Sequence, residues 1–480
     1  MIAFALAALL VAGAAAPQDP PPATQTKEKK EKKEKADKKP KGAKKAKKAA
    51  ASDEKSPAPD EVVDAASAGY IDDVEHHGTF AWRAHPTIQI GSLRLAGEFK
   101  LQEDGHASYD GAGAIAGLQP WEFHRNRIGV KGKYGKKIDF EIEYELTEKE
   151  LTEKDILLGL TPKSQWKDVD LNYSYFKNAQ VTLGKFKIPY SLDELTGVTH
   201  NDFIYRSLGA LYLAPGRDIG TMMHGSFFKH GLRYQGGVFQ HDGDNAKSKK
   251  IQGGDATLAG RVVVRPLRKL SPIFDAFDVG TAMTFSRLSD DSFRPNGLRI
   301  RTVLTQDTFF EPVYVKGRRE RYESDFDWTL HRASFRGEYF HVSDTRWGQS
   351  YINTDLPDAH YHAWYLTTTY TLTGENKQRP LRPINDIFDG GIGALEVAAR
   401  VERIWGDSAP GNDDPFANPR AEVILPSGEK AVTLGVNWTL NRFIKIQFNA
   451  IREQVEDADR NPVPNGAAFW SKVLRFQLVL

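Results

Sequence analysis

The chain has 480 residues, of which 27% are charged and 11% are aromatic, and it contains no cysteine. The lack of cysteine excludes disulfides, thiolate metal sites and cysteine nucleophiles. Length alone is compatible with several domains or with one large barrel. After the N-terminus, no stretch approaches the ~20 apolar residues that a membrane-spanning helix requires, which excludes a helical membrane protein.

The N-terminal region differs in composition from the rest of the chain. Residues 1–16 are apolar and end in small residues, which predicts a secretory signal peptide; a buried N-terminal helix is the alternative. Residues 17–82, a Lys/Pro/Ala-rich stretch, are predicted to form a disordered periplasmic tail and linker, because such a segment buries too little apolar surface to fold. The tail is either a solvated tether or a contact for a periplasmic polyanion.

The formal net charge of +2 is dominated by this tail. Residues 1–60 hold fourteen lysines, no arginine and eight acidic residues, which leaves 51 of the 65 basic and 55 of the 63 acidic residues for the remainder. The folded part, expected at 83–480, is therefore slightly acidic. This balance does not support nucleic acid as a partner.

From about residue 87 the sequence alternates between apolar and polar residues with a period of two, which is typical of β-strands. In 138–146, for example, four carboxylates alternate with five apolar side chains. About sixteen strands are predicted, beginning near residues 87, 123, 137, 167, 179, 219, 232, 255, 276, 322, 332, 360, 391, 429, 442 and 468. Tight turns alternate with long linkers such as 104–122, 148–166, 288–321 and 406–428, although 373–390 is long where a short turn is expected. The pattern predicts an all-β fold, a transmembrane antiparallel β-barrel.

The stretch 179–220 breaks this pattern. It opens as a strand and continues, after Pro189, into a loop of roughly thirty residues that carries both signs of charge, aromatic residues and the turn 214–218. Long loops of this kind are usually functional or disordered, and the apolar content of this one predicts packing against other parts of the chain. We expect it to fold into the mouth of the barrel and narrow it.

Four segments of the sequence resemble a known family. In order they read HRNRIGVKGKYGKKIDFEIEYEL, VDLNYSYFKNAQVTLGKFKIPYSLDEL, APGRDIGTMMHG and GGVFQHDGDN. They resemble the phosphate-selective porin O and P family of Gram-negative outer membranes, from roughly residue 87 to 480. The resemblance implies a sixteen-stranded outer-membrane porin, commonly trimeric, whose third extracellular loop folds inward between strands five and six. That position coincides with the loop at 186–218.

If apolar side chains face lipid, the opposite face of each strand lines the lumen. The predicted pore-lining, anion-binding cations are Arg125, Arg127, Lys131, Lys133, Arg206, Arg217, Arg261, Arg265, Arg336 and Arg475. The same pattern turns Arg94, Arg332, Arg400 and Lys445 inward. Arginine suits oxyanion transport because its planar fork binds phosphate oxygens and stays charged.

Carboxylates are predicted on the same inner face and compete with this interpretation. They are Glu98, Asp139, Glu141, Glu143, Glu145, Asp168, Asp170, Glu323, Asp325, Asp327 and Glu338. Ion pairing between the two sets would give a weakly selective pore. In the inward loop, Arg206 and Arg217 are the predicted constriction cations, and Asp193, Glu194 and Asp218 are their acidic neighbours. The alternative role for these residues is to anchor the loop to the barrel wall.

Other motifs predict no cofactor and no metal. Gly111, Gly113 and Gly117 lack the strand-to-helix context of a phosphate-binding loop, and His360 and His362 have no evident third ligand. The runs HDGDN at 241–245 and GNDDP at 411–415 are more simply Asx turns than calcium sites. Familiar enzyme signatures are absent, so the chain is not expected to be an enzyme.

The sequence therefore predicts a passive outer-membrane channel for small anions, with phosphate or polyphosphate as candidates. Membrane lipid and further copies of the chain, as a homotrimer, are the expected partners. The first alternative is a general porin that passes small hydrophilic solutes without preference for charge. The second is a structural or adhesive barrel, and the third, a hydrolase barrel, lacks a convincing catalytic set.

Overall fold

In the computed structural model the chain forms a closed antiparallel barrel of sixteen strands. The structure describes residues 80–82, 85–109, 121–147, 164–176, 178–244, 256–289, 295–408 and 418–480. The predicted signal peptide and most of the predicted tail lie outside these residues, as do the glycines of 111–117 and the run 411–415. The predicted domain boundaries therefore stay predictions.

The strands alternate with connections of very different length. In chain order they are β1 (Phe80–Trp82), β2 (Pro86–Ile90), β3 (Leu93–Tyr109), β4 (Trp121–Tyr134), β5 (Ile138–Glu145), β6 (Trp166–Phe176), β7 (Ala179–Lys187), β8 (Arg217–Phe227), β9 (Leu232–Phe239), β10 (Thr257–Val264), β11 (Phe277–Leu288), β12 (Ile300–Arg301), β13 (Thr308–Phe310), β14 (Gly317–Leu330), β15 (Ala333–Arg346), β16 (Leu356–Thr371), β17 (Ala394–Ser408), β18 (Ser427–Thr439), β19 (Ile444–Val455) and β20 (Phe469–Val479). Two short helices, α1 (Leu192–Leu195) and α2 (Leu208–Tyr212), interrupt the connection between β7 and β8, and 3₁₀ turns occur at Pro272–Phe274, Ile387–Asp389, Ala458–Arg460 and Pro464–Gly466.

Sixteen strands, β3–β11 and β14–β20, form the barrel wall, and β1 and β2 extend the sheet beside β3. The barrel closes where β20 pairs antiparallel with β3. At the end of the chain the Leu480 amide donates to the Phe99 carbonyl at 2.9 Å, and the Phe99 amide donates to the Leu480 carbonyl at the same distance. Among the strands that the structure describes, closure leaves no unpaired sheet edge along the wall, as the interior of a bilayer requires. The predicted fold and its sixteen strands are confirmed.

Period-two alternation sorts the side chains of the wall. On β4 the side chains of Ile128, Val130 and Tyr134 are exposed on the outer surface. Arg127, of the opposite parity, is buried on the inner side. An outer surface that exposes large apolar groups strand after strand suits contact with hydrocarbon, because such groups lose little by facing lipid. Among the described residues, no helix is long and apolar enough to cross a membrane.

The connections correct several predicted boundaries. The first outer loop is shorter than 104–122, because β3 extends to Tyr109 and β4 begins at Trp121. The predicted inward residue Arg332 lies instead in the two-residue turn between β14 and β15. The long connection after β16 has a structural reason, since its Lys377 reaches a buried position inside the barrel.

A second outer loop also packs inside the barrel, which the sequence did not predict. The connection between β11 and β14 contains the small hairpin of β12 and β13. Its Ile300, Phe309 and Phe310 are almost fully buried, and the ring of Phe310 packs edge-on against Tyr361 of β16 at 5.3 Å between centroids. These apolar side chains fill the lumen beside β16, so the open cross-section is narrower than the strand count alone implies.

Candidate functional site: the loop that crosses the lumen

The connection at 188–216, which we call loop three, runs through the inside of the barrel. At its neck the Ile188 amide donates to the Gly216 carbonyl at 2.9 Å. Both of its helices begin at a capping serine: Ser191 Oγ accepts from the Glu194 amide at 3.1 Å, and Ser207 Oγ accepts from the Ala210 amide at 3.4 Å. These caps fix short helical turns in a segment that has no regular period.

Polar side chains of the wall bind the backbone of loop three. The carboxylate of Glu338 on β15 accepts from the amides of Leu192 and Asp193 at 3.0 and 2.6 Å. Further contacts between wall side chains and loop backbone are Arg261 with Tyr190 at 2.7 Å, Gln102 with Val198 at 3.3 Å, Gln477 with Thr199 at 3.1 Å, Asn437 with Asp202 at 2.9 Å, Asn449 with Ile204 at 2.8 Å, Arg400 with Tyr205 at 3.0 Å, Arg475 with Ile204 at 2.8 Å and Glu402 with Leu208 at 2.7 Å. They tie the loop to strands from β10 round to β3.

Apolar packing sets how closely the loop approaches this wall. Helix α2 lies against β15 and β16 in a cluster that includes Leu208, Phe340 and Ala363. A Cβ placed on Gly209 would lie 2.5 Å from two ring carbons of Phe340 and 3.1 Å from the Ala363 Cβ. Only glycine permits this close approach.

The loop also reaches the connection between β16 and β17. Asp202 accepts from Lys377 Nζ at 2.6 Å and from Arg379 Nη2 at 3.0 Å, and Lys377 also binds Glu396 at 2.6 Å. A cavity of about 70 Å³ borders this network, and Lys445 is among the residues that line it. The loop therefore extends from the long-loop end of the barrel to the connection between β16 and β17.

The predicted constriction cations of loop three make the contacts expected of residues that anchor the loop. Arg206 donates to the carbonyls of Asp193, Glu194 and Thr196 at 2.7–2.9 Å and pairs with the Glu194 carboxylate at 3.2 Å. The Asp193 carboxylate accepts from the Ser207 amide at 2.7 Å. Arg206 thus holds one side of the loop to the other.

At the far end of the loop, β8 begins with the other two predicted residues. Arg217 forms a two-bond pair with Asp168 of β6, at 2.9 and 2.7 Å. Asp218 accepts from the His241 amide at 2.5 Å. Both residues fasten the exit of loop three to neighbouring segments.

Most of the predicted wall cations pair with carboxylates. Arg127 binds Glu143 and Glu145 at 2.8 and 2.7 Å. The other pairs are Lys131 with Glu98 at 2.9 Å, Lys133 with Asp139 at 3.9 Å, Arg261 with Glu323 and Asp325 at 2.8 and 2.6 Å, Arg265 with Asp278 at 2.9 Å, Arg336 with Asp327 at 3.1 Å and Arg475 with Asp104 at 2.6 Å. The pairing predicted as the competing interpretation is thus widespread.

Arg125 differs from these residues. Its Nη1 donates to the amide oxygen of Gln102 at 2.8 Å, and its electrostatic neighbours are three guanidinium groups, those of Arg475, Arg127 and Arg206, and one carboxylate, that of Glu145. Among the residues that the structure describes, no salt bridge joins Arg125 to a carboxylate. Its side chain is partly exposed on the inner wall.

Lys187, at the end of β7, is a second such cation and was not predicted. Its Nζ donates to three carbonyls of loop three, those of Glu194, Leu195 and Thr196, at 2.5, 3.2 and 3.2 Å. The sequence signal was present in the FKIP run, where Lys187 precedes the loop, but alternation alone does not show where the ammonium group ends. Arg125 and Lys187 place two cations beside loop three whose hydrogen bonds go to uncharged oxygens.

Asp242 of the HDGDN run proves to be a buried anchor, which corrects the expected Asx turn at a loop tip; Asn245 lies outside the described residues. Asp242 accepts from Arg319 Nη1 at 2.8 Å, from Arg321 Nη2 at 2.8 Å and from Ser286 Oγ at 2.6 Å. Burial opposes ionisation, but the two guanidinium groups hold the pKa of the Asp242 carboxyl well below its usual range. The carboxylate pins this outer loop to the inner wall.

A sixteen-stranded barrel with an apolar outer surface, and with a long loop bound across its lumen, defines an outer-membrane porin. Residues 99–480 match the family model described as phosphate-selective porin O and P. The chain belongs to the phosphate-selective porin O and P family, which confirms the resemblance seen in the sequence and locates the protein in the Gram-negative outer membrane.

The chain is similar in sequence or in structure to several other proteins. A protein of Caulobacter vibrioides, described as uncharacterized, is 25% identical over 350 residues, covering 67% of this chain and 63% of its own length. The structure of Salmonella typhi OmpF in complex with daunomycin is similar with a TM-score of 0.50 and 10% identity, covering 82% of this chain and 100% of that one. OmpT, an outer membrane protein of Vibrio cholerae, is similar with a TM-score of 0.49 and 10% identity, over 82% of this chain and 99% of that one.

Proposed function

We propose that this porin is a passive diffusion channel that prefers small anions, with inorganic oxyanions such as phosphate as the class of solute. The observation that carries the proposal is Arg125, whose guanidinium bonds to an uncharged amide and forms no salt bridge among the described residues. It interacts electrostatically with three other guanidinium groups and with one carboxylate, Glu145. A cation without a carboxylate partner attracts a passing anion. In an ion pair the carboxylate cancels most of that attraction, because the pair has no net charge.

The geometry of loop three supports a conducting path beside Arg125. The hydrogen bonds that tie the loop to the wall go to strands from β10 round to β3 and, through Lys187, to β7. The ladder of Arg125, Arg127 and Lys131 lies on β4, beyond that arc. We infer that solutes pass between loop three and the inner face of β4 to β6.

The chemistry of the cations suits an oxyanion that binds weakly. Arg125 offers a planar fork of N–H donors, and Lys187 offers an ammonium group bound to the backbone of loop three. Both already donate to neutral oxygens of the protein, so an anion exchanges one set of hydrogen bonds for another and is released again. The proposed activity is facilitated diffusion without chemical conversion of the solute, hence without enzymatic activity.

The dense ion pairing of the wall favours a second candidate, a general porin without charge preference. The net charge of a pair such as Lys131 with Glu98 is zero at the distance of a passing ion, and the folded part of the chain has no positive excess. The two candidates differ in whether Arg125 controls the sign of the permeant ion.

Reversal potentials in planar bilayers separate them. In a tenfold KCl gradient an ideally anion-selective channel gives about 59 mV, and a non-selective one gives a value near zero. We expect the wild type to lie on the anion side and Arg125→Gln to move towards zero. Arg403→Gln is the matched control, because Arg403 lies on the outer face of β17 and pairs with Glu456 at 2.8 Å.

Phosphate competition tests the solute class. Charge-assisted hydrogen bonds are worth about 1.5–3 kcal/mol. We therefore expect Arg125→Gln to weaken inhibition of chloride current by phosphate about tenfold or more. An Arg125→Gln channel with unchanged reversal potential and unchanged phosphate inhibition would overturn the proposal and favour the general porin.

A further inference from the structure

Four side chains with metal-ligand chemistry converge on the inner wall near the long-loop ends of β3 and β4. They are Asp104 and His106 on β3, and Glu122 and His124 on β4; we call them the His–carboxylate cluster. On each strand the two ligands are two residues apart, which places them on one face. Asp104 and Glu122 are direct partners in the pairing of the two strands, so the two faces coincide.

A break in the strand register completes the cluster. Gln102 pairs with Arg125 but Glu103 pairs with Phe123, so β4 contains one extra residue at this point. Arg125 and His124 consequently both turn to the inner side, although they are adjacent in sequence. Without this bulge His124 would point outward.

The distances within the cluster suit one small ion. His124 Nδ1 lies 3.3 Å from Glu122 Oε1 and 3.5 Å from Asp104 Oδ2. His106 Nε2 lies 3.9 Å from each of the same two oxygens. With zinc–ligand bonds of about 2.0–2.2 Å, a tetrahedral site separates neighbouring ligand atoms by about 3.4 Å. The ligand atoms of Asp104, His106 and Glu122 all lie within 4.8 Å of one another. His124 Nδ1 lies close enough to the two carboxylate oxygens to supply the fourth ligand after side-chain rotation.

The surroundings of the cluster resemble those of a built metal site. Arg475 donates to both oxygens of Asp104 at 2.6 Å and fixes the orientation of that carboxylate. A carboxylate oxygen has two lone pairs, so Asp104 Oδ2 can bind a cation while it accepts from Arg475. The side chains of Asp104, His106 and His124 are 0%, 2% and 9% exposed, and Glu122 at 37% provides the route from solvent.

We propose that the His–carboxylate cluster binds one divalent transition-metal ion of the zinc class. Two imidazoles select such an ion over magnesium or calcium, which prefer oxygen ligands. The assignment of this site does not depend on what the channel conducts.

The position of the site links it to loop three. Tyr205 of the loop packs edge-on against the His124 ring at 5.6 Å between centroids, and its hydroxyl lies 3.4 Å from His106 Nε2. An ion held here adds two positive charges close to Arg125. Given the proposed anion channel, which this consequence requires, the bound ion shifts the reversal potential further to the anion side.

A second histidine group on the outer face supplies the matched control. His341 and His362 are direct partners on β15 and β16, and their Nδ1 atoms lie 3.2 Å apart. Imidazole pairs on a surface also attract transition metals. A test must therefore remove each pair separately, in protein purified without a histidine tag.

Binding of Co²⁺ to the full-length, chelator-stripped protein in detergent tests the site, because four-coordinate Co²⁺ has a distinctive visible spectrum. We expect one such ion per chain, displaced by Zn²⁺. The variant His106→Gln/His124→Gln should bind Co²⁺ at least ~10-fold more weakly. Mutation of a residue that only hydrogen-bonds to a metal ligand commonly costs that much. The variant His341→Gln/His362→Gln should retain the four-coordinate spectrum and its affinity.

Folding of each variant is checked by the heat-dependent shift in gel mobility of an intact barrel. If the first variant fails this check, Glu122→Gln replaces it, since Glu122 is the most exposed ligand. The proposal is overturned if the wild type shows no four-coordinate spectrum, or if removing the cluster histidines or Glu122 leaves it unchanged. Binding without any effect of Zn²⁺ on the reversal potential would leave the site in place and contradict its effect on conduction.

Discussion

The contact between α2 and the wall at Gly209 gives a prediction that tests the position of loop three. In Gly209→Ala the new Cβ would lie 2.5 Å from two carbons of the Phe340 ring, a distance at which a neighbour must move. Phe340 is fully buried and packs against Tyr190 at 6.2 Å between centroids, so its ring has little room to move. The displacement should therefore fall on the loop.

The change in the free energy of unfolding is the balance of two opposing effects. Overpacking a close-packed contact costs about 1–3 kcal/mol. Replacing glycine by alanine in a helix stabilises the folded protein by up to about 1 kcal/mol. We expect a net cost of roughly 1–2 kcal/mol, with loop three pushed from β15 and β16 towards β4, where it narrows the proposed path.

Single-channel conductance measures the narrowing of the path. The temperature at which the gel mobility shifts measures the loss of stability. Both should fall in Gly209→Ala, and Phe340→Leu in the same chain should restore part of each. Gly236→Ala is the control, since a Cβ on Gly236 meets no atom within 4 Å. If Gly209→Ala behaves like Gly236→Ala, the packing argument is refuted, and a rise in conductance would put the path on the other side of the loop.

Three further outcomes are expected. Asp202→Asn should destabilise the barrel by about 3–5 kcal/mol, because it removes the negative charge that neutralises buried Lys377 and Arg379. Glu456→Gln, which breaks a half-exposed pair with Arg403, should cost about 1 kcal/mol or less. Thermal midpoints of the two variants and the wild type measure both costs. Because the pKa of Asp242 is depressed in the folded state, its carboxylate stabilises the fold above its unfolded pKa of about 3.9, and this stability is lost as the pH falls below that value. In Asp242→Asn the thermal midpoint should therefore fall less steeply at acidic pH than in the wild type. An equally steep fall would contradict this prediction. Cross-linking of the native protein in membranes should give a homotrimer, and a monomer would contradict that prediction.

The strands and the inward loop could be predicted because both leave a local signal. Alternation assigns each side chain to a face, so the inward position of Arg127 follows from Ile128 and Val130 beside it. The loop is visible as an interruption in that alternation. These features depend on neighbours in sequence, which a single chain displays directly.

The partner of each charge could not be predicted, since it depends on register and closure. Asp104 and Arg475 are 371 positions apart and meet only because β20 closes on β3. The bulge that turns His124 inward beside Arg125 has no signal of its own in a run of polar residues. The inward packing of 300–310 was missed because its apolar residues follow neither strand nor helix period.

The reversal potential of the wild-type channel in a tenfold KCl gradient tests the central claim most directly. With Arg125 and Lys187 beside loop three, we predict a potential on the anion side, which decreases when phosphate occupies the channel. A potential of zero or on the cation side would contradict the account. The carboxylates of the wall would then outweigh the two cations.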